Sequence, residues 1–212
     1  MEQGSERGRQ PEAVAEADQS GSSSPKGSLE AGRARGVASG QQQTTRFMSN
    51  KKSIELLNKG VADELQAVHQ YMYWHFHLAD QGFRPLAAMF KRIAIQEMGH
   101  VERLAERIIF LKGDVEMVAA GPTEKVTDPQ KMLAKAAEME GEAVNVYNQF
   151  ALQAGQSADA ATKQVFEALV NDEEGHYDQF DKQRENIKRF GLSYLALQSF
   201  EQPASQPPET GE

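Results

Sequence analysis

Four glutamates and two histidines in this chain occur in two matching sets. Glu64 is followed 33 residues later by Glu97, which opens Glu97-Met98-Gly99-His100. Glu140 is followed 33 residues later by Glu173, which opens Glu173-Glu174-Gly175-His176. Each lone glutamate has a tyrosine seven residues on, Tyr71 and Tyr147. Four carboxylates and two imidazoles laid out this way form the ligand inventory of a two-metal site inside a helical bundle. A Glu-x-x-His spacing puts one carboxylate and one imidazole on the same helix turn. A carboxylate from the opposite helix then gives each metal a terminal Glu and a His. Glu97 and Glu173 are placed to bridge both metals. An oxygen-rich, nitrogen-poor donor set suits iron or manganese better than thiophilic metals.

The elements that must position these residues are helices. Apolar residues recur at helical spacing along four stripes. The first stripe is Ile54, Leu57, Val61, Val68, Tyr71 and Leu78, ending near Gly82. The second runs from Leu86 through Phe90, Ile93, Val101, Leu104 and Ile108 to Leu111, with Pro85 suited to its first turn. A polar connector holding Gly121 and Pro122 follows. Asp128-Pro129 reads as an N-cap and first-turn proline. The third stripe runs from Leu133 to Ala151 and the fourth from Phe166 to Ile187, before Gly191. Residues 192–200 form a short apolar segment suited to a fifth helix. Short links make helices one–two and three–four antiparallel hairpins. The long connector can run the length of the bundle and leave helices two and three parallel. The expected fold is therefore all-α: a four-helix bundle with one long crossover and a short C-terminal fifth helix. The repeated spacing relates the hairpins by a pseudo-twofold.

Each candidate ligand falls where an apolar residue belongs. Glu64 lies between Val61 and Val68, Glu97 and His100 between Ile93 and Leu104, Glu140 between Ala136 and Ala143, and Glu173 and His176 between Val170 and Phe180. All six should point into the bundle. An unpaired buried carboxylate is costly and takes up a proton instead. Two divalent cations, with about four positive charges, remove that objection. Glu138 and Glu142 fall with Asn145 and Gln149 on the polar face, and Asp172 and Glu174 fall off the fourth stripe, so these four are expected at the surface. Tyr71 and Tyr147 read either as core aromatics or as residues beside the metals that hydrogen-bond a ligand or donate an electron. His75 lies near the first stripe, at the core edge or surface.

Composition narrows the alternatives. In residues 1–45 the large aliphatic side chains are Met1, Val14, Leu29 and Val37 alone. Such a segment buries too little apolar area to offset its ordering entropy. Residues 1–48 are expected to be a disordered arm, residues 49–191 the bundle, 192–200 the fifth helix and 201–212 a loose tail. Ser49 or Asn50 would cap the first helix, and Met48 is a possible alternative start. Six basic and six acidic residues balance in the arm, so the formal charge of −8 belongs to the remainder. An acidic surface argues against nucleic-acid binding and is compatible with drawing in cations. The absence of cysteine excludes disulfides, a zinc ribbon, an iron–sulfur cluster and a thiol nucleophile. No run is apolar enough to span a membrane, and no signal-peptide core is visible. The expected location is the cytoplasm.

Residues from about Asn50 to Phe200 resemble bacterioferritin, within the ferritin-like superfamily. The resemblance is carried by Asp63-Glu64-Leu65 through Gln70-Tyr71, by Glu97-Met98-Gly99-His100 through Arg107-Ile108-Ile109-Phe110-Leu111, by Asn171-Asp172-Glu173-Glu174-Gly175-His176, and by Gly191-Leu192 through Tyr194-Leu195. It implies iron storage and detoxification by a homo-oligomeric cage of 24 subunits built from dimers. Each bundle would be a ferroxidase, oxidising Fe(II) to Fe(III) with O2 or H2O2 at two iron ions per subunit. Glu64, Glu97, His100, Glu140, Glu173 and His176 would be the ligands. It also implies haem b between two subunits, with Met98 as the axial ligand. One step past Glu97, Met98 points about 100° away from the metal core. The alternative is a dimeric di-iron peroxidase or oxidase of the rubrerythrin type that stores no iron. The missing cysteines, which would hold its usual electron relay, count against it.

Overall fold

The computed structural model describes residues 30–201, with side chains from residue 50 to residue 200. The chain divides into residues 1–41 and residues 42–212; the bundle belongs to the second unit. Five helices follow in order: α1 (Glu30–Asp80), α2 (Arg84–Phe110), α3 (Pro129–Gln156), α4 (Ala160–Phe190) and α5 (Ser193–Glu201). The first helix thus begins well before the expected cap at Ser49 or Asn50, and residues 30–48 of the expected arm are helical backbone. Past Pro25 this stretch has no proline and many good helix formers, among them Ala31, Ala34, Ala38, Gln41, Gln42 and Gln43. A helix already nucleated can propagate through such residues, although Gly32, Gly36 and Gly40 weaken it. The rest of the expected arm, residues 1–29, and residues 202–212 of the tail lie outside the described residues.

Most links fall at the punctuation residues, but α3 runs through Gly155 to Gln156, and Lys112 and Ala158 rather than glycines take the left-handed conformation after α2 and α3. Gly82 (φ 83°) takes the left-handed turn after α1, Asp128 accepts the Lys131 N–H at the start of α3, and Asp159 does the same for Thr162 at the start of α4. Gly191 (φ 75°) ends α4. Across the bundle, Glu64 meets His100 and Tyr71 packs on Phe90, so α1 and α2 are antiparallel. Tyr147 bonds Glu64 and Tyr71 bonds Glu140, so α3 runs against α1 and parallel to α2. Tyr147 on Phe166 and Glu140 beside His176 make α4 antiparallel to α3.

The crossover is strapped to α1. Asn58 bonds the backbone of Asp114 and Glu116, and Ala62 O accepts from Ala120 N. Gln66 bonds Gly121 and Pro122, Gln70 bonds Glu124 through both amide atoms, and Gln81 reaches Thr127. Side-chain amides on α1 thereby replace the ladder an irregular segment lacks. Gln70 is buried. Its replacement by alanine strands the Glu124 N–H and C=O and is expected to cost about 1–3 kcal/mol in a denaturant titration, whereas Gln81→Ala, at the exposed end, should cost less than about 1 kcal/mol.

The core is in two parts. One gathers Tyr71, Trp74, Leu78, Phe90, Ile93, Leu133, Phe180 and Leu195. The other gathers Leu57, Val61, Leu104, Ile108, Tyr147, Phe166 and Leu169. The layer between them holds the acidic residues. Tyr177, on the fourth apolar stripe, is an exception: it is 40 % exposed, because it follows His176 by one step and is turned about 100° from it. Among the described residues no helix is long and apolar enough to cross a membrane.

Candidate metal centre

All six predicted ligands meet in that middle layer. Each is at most 3 % exposed. Their donor atoms form two groups, Glu64–Glu97–His100–Glu173 and Glu97–Glu140–Glu173–His176, each spanning no more than 4.8 Å. Glu97 and Glu173 belong to both groups, the geometry expected of bridging carboxylates. His100 Nδ1 stands 2.9 Å from Glu97 Oε2, 2.9 Å from Glu173 Oε1 and 3.3 Å from Glu64 Oε2. His176 Nδ1 stands 3.0 Å from Glu97 Oε1, 3.0 Å from Glu173 Oε2 and 3.8 Å from Glu140 Oε2. The two imidazole rings are stacked, with centroids 5.6 Å apart.

One ring nitrogen carries one hydrogen and cannot satisfy three carboxylates. Both oxygens of Glu97 and one of Glu173 are buried without a hydrogen-bond partner. Buried carboxylate oxygens without a partner are expensive. Cations at the two foci would satisfy them, and the hard oxygen-rich donor set fits iron or manganese.

The protonation pattern reflects the same crowding. Burial pushes Glu64 and Glu140 well above the usual carboxylate range, and the neighbouring glutamates add to it. Burial pulls His100 down, but the Glu173, Glu64 and Glu97 carboxylates outweigh it and push the imidazole up to about 12. His176 is likewise drawn down by burial and pushed up to about 9 by Glu173 and Glu97. Glu173, raised by burial, is brought down to about 2 by the two imidazoles. Protons here stand in for metal charge.

The tyrosines are not merely packing. Tyr147 donates to Glu64 Oε1 at 2.7 Å, and Tyr71 donates to Glu140 Oε1 at 2.5 Å. Each phenol holds the outer carboxylate of the opposite hairpin, and burial raises both hydroxyls well above their ordinary range. They therefore stay protonated as donors. A cavity of about 190 Å³ between α1 and α3, lined by Asp63, Glu142 and the four glutamates, opens onto the centre. Asp63 at its side is pushed up to about 6 by burial, against the pull of Lys59.

The rejected candidates fall where expected: Glu138, Glu142 and Glu174 are exposed, and His75 is half-buried with Nδ1 on Ala87 O. Met98 is 50 % exposed on the outer side of α2. Asp172, read as a surface residue, is half-exposed but lies 3.5 Å from His100 Nε2 and 2.6 Å from Arg103. Its position directly before Glu173 was the available signal, since residue 172 comes round near the facing histidine on α2.

The Ferritin-like domain family model matches residues 54–190. A bacterioferritin of Desulfovibrio desulfuricans is 36% identical over 145 residues, 68% of this chain and 81% of that protein. One of Rhodobacter capsulatus is 33% identical over 147 residues, 69% of this chain and 91% of that protein. The solved Desulfovibrio desulfuricans bacterioferritin, studied with its diiron site in different catalytic states, superposes with a TM-score of 0.73 at 33% identity, covering 79% of this chain and 97% of that one. The Rhodobacter capsulatus structure, with a metal-free dinuclear site and haem iron in a crystallographic special position, gives 0.68 at 28% identity over 76% and 98%. On these matches this chain belongs to the ferritin-like family and, within it, to the bacterioferritins.

Proposed function

We propose that this protein stores and detoxifies iron as a cytoplasmic cage of 24 subunits whose bundles are ferroxidase centres. The carrying observation is the pair of donor groups that share Glu97 and Glu173. Glu64 and His100 would hold one Fe(II), and Glu140 and His176 the other, with the shared carboxylates between them. The phenols of Tyr147 and Tyr71 fix the outer carboxylates, so the donor set needs little rearrangement when substrate arrives. Each imidazole loses its Nδ1 proton to solvent as the metal-ion substrate takes that nitrogen.

Two adjacent Fe(II) ions let the oxidant take two electrons at once: 2 Fe(II) + O2 + 2 H+ gives 2 Fe(III) + H2O2, or 2 Fe(II) + H2O2 + 2 H+ gives 2 Fe(III) + 2 H2O. The carboxylates, hard and anionic, favour the ferric product. The apolar clusters close the layer at its two ends, and the cavity between α1 and α3 is an opening onto it. Haem b would be held between two subunits by Met98 of each; the half-exposed thioether on the outer face of α2 fits that role. A bound haem would supply electron transfer.

Size exclusion with an oxidation assay tests the reading. A particle of several hundred kilodaltons that oxidises Fe(II) and retains it is expected, against about 50 kDa for a dimer. The haem absorption band should disappear in Met98→Leu. A dimer that oxidises iron but keeps none would contradict storage.

A further inference from the structure

The pseudo-twofold of the site is uniform in sequence. An offset of 76 residues carries Glu64 to Glu140, Tyr71 to Tyr147, Glu97 to Glu173 and His100 to His176. Around the outward edges of the two imidazoles, on the α2–α4 face, the same offset breaks down. Asp172 beside His100 corresponds to Gln96, and Arg103 corresponds to Gln179. All four side chains line one recess with the two histidines. On the His100 side a carboxylate stands 3.5 Å from Nε2 and is held there by Arg103 at 2.6 Å. On the His176 side both partners are neutral amides. Gln96 is exposed, and Gln179 is committed elsewhere, accepting from Arg92 and donating to Gly175 O. Among the described residues the ion pairs of His176 all run through Nδ1, whereas His100 also has Asp172 at Nε2.

We propose that Asp172, clamped by Arg103, is a positioning residue that makes the two metal positions unequal, so that the Glu64–His100 position fills before the Glu140–His176 position. The inference rests on the dinuclear reading above. Metal takes Nδ1, which leaves the Nε2–H on the far edge of the ring. A carboxylate at that edge favours the Nε2–H tautomer electrostatically and makes the imidazole a better donor, an effect worth about ten- to a hundredfold in metal affinity. A neutral amide offers less of this and an unpartnered edge none. The four carboxylates and the tyrosine clamps are matched between the halves and do not create the difference. The outer ring does.

Titration of the full-length, metal-free protein with Co(II), followed by its d–d absorption and by calorimetry, tests this. Two steps are expected, with dissociation constants about ten- to a hundredfold apart. Glu140→Ala should keep only the tight step. Asp172→Asn should weaken the tight step by about tenfold and leave the second unmoved. Gln96→Asp should tighten the second step and bring the two together. These shifts separate positioning from a merely structural role, which would move both steps alike. Two equal steps in the unaltered protein, or Asp172→Asn weakening both equally or neither, would overturn the inference while leaving the dinuclear site standing. No Co(II) binding at all would overturn both.

Discussion

Replacing Glu173 by alanine is expected to slow Fe(II) oxidation by about a hundredfold or more while the helical far-UV signal persists. Glu173 belongs to both donor groups, so its loss opens both positions and removes the carboxylate that sets their separation. Glu97→Ala should do the same, whereas loss of an outer carboxylate, Glu64 or Glu140, removes a terminal ligand from one position only. Stability of the metal-free protein adds a check with opposite signs. The two imidazoles hold Glu173 down to about 2, against its burial. A lowered carboxyl stabilises the fold above its ordinary value of 4.5 and loses that contribution as pH falls towards 2. Its removal at pH 7 should therefore cost about 3 kcal/mol, because a buried imidazolium loses a partner. Glu64 is raised well above 4.5, chiefly by burial. Its ionisation is penalised in the fold, and the penalty grows with pH above 4.5. Glu64→Gln keeps an acceptor for Tyr147 and removes the penalty. The metal-free variant should be more stable than the parent at pH 7.5, although it binds metal poorly. Urea titrations of both variants check the pair; equal destabilisation would contradict this account of the layer.

Metal loading should release protons. At pH 7 the imidazoles of His100 and His176, pushed up to about 12 and about 9, hold the Nδ1 protons that metal must displace. Glu64 and Glu140 are raised and give up theirs on binding. About two to four protons per subunit are expected on saturation with Zn(II) at pH 7, read with an indicator dye. The number should fall as pH rises through about 9, where His176 is already free. The sign for stability follows. Raised imidazoles stabilise the metal-free fold fully below their ordinary value of 6.5 and lose that contribution as pH rises through about 9 and then about 12. Metal reverses the trend, since affinity grows over the same range. At a thousandfold excess over Kd each ion adds about 4 kcal/mol, enough to raise Tm by roughly 10 °C. Proton release near zero at pH 7 would mean that the layer is not held by protons in the way the distances imply.

The six donors were legible because each interrupts an apolar stripe, and helical periodicity settled Glu140 over Glu138 and Glu142. The crossover was legible from connector length alone. The amides that strap it to α1 were not, since Asn58, Gln66, Gln70 and Gln81 look like ordinary polar-face residues until the connector lies beside them. The start of α1, earlier than Ser49 or Asn50, was not legible, since the apolar stripe begins at Ile54 and carries no information about the residues before it. Tyr71 and Tyr147 remained ambiguous from spacing; only the opposite hairpin reveals what their hydroxyls bond. Asp172 was set aside for lying off the stripe. A residue that acts on the outer edge of a ligand need not face the core, so periodicity is blind to it.

The central claim is that two metal ions sit between the shared carboxylates. Crystals soaked in Fe(II) or Mn(II) under anaerobic conditions, with anomalous scattering recorded at the metal edge, test it most directly. Two peaks per subunit are predicted, one among Glu64, Glu97, His100 and Glu173 and one among Glu97, Glu140, Glu173 and His176. No peak between these residues, or metal bound only at the exposed acidic surface, would contradict it.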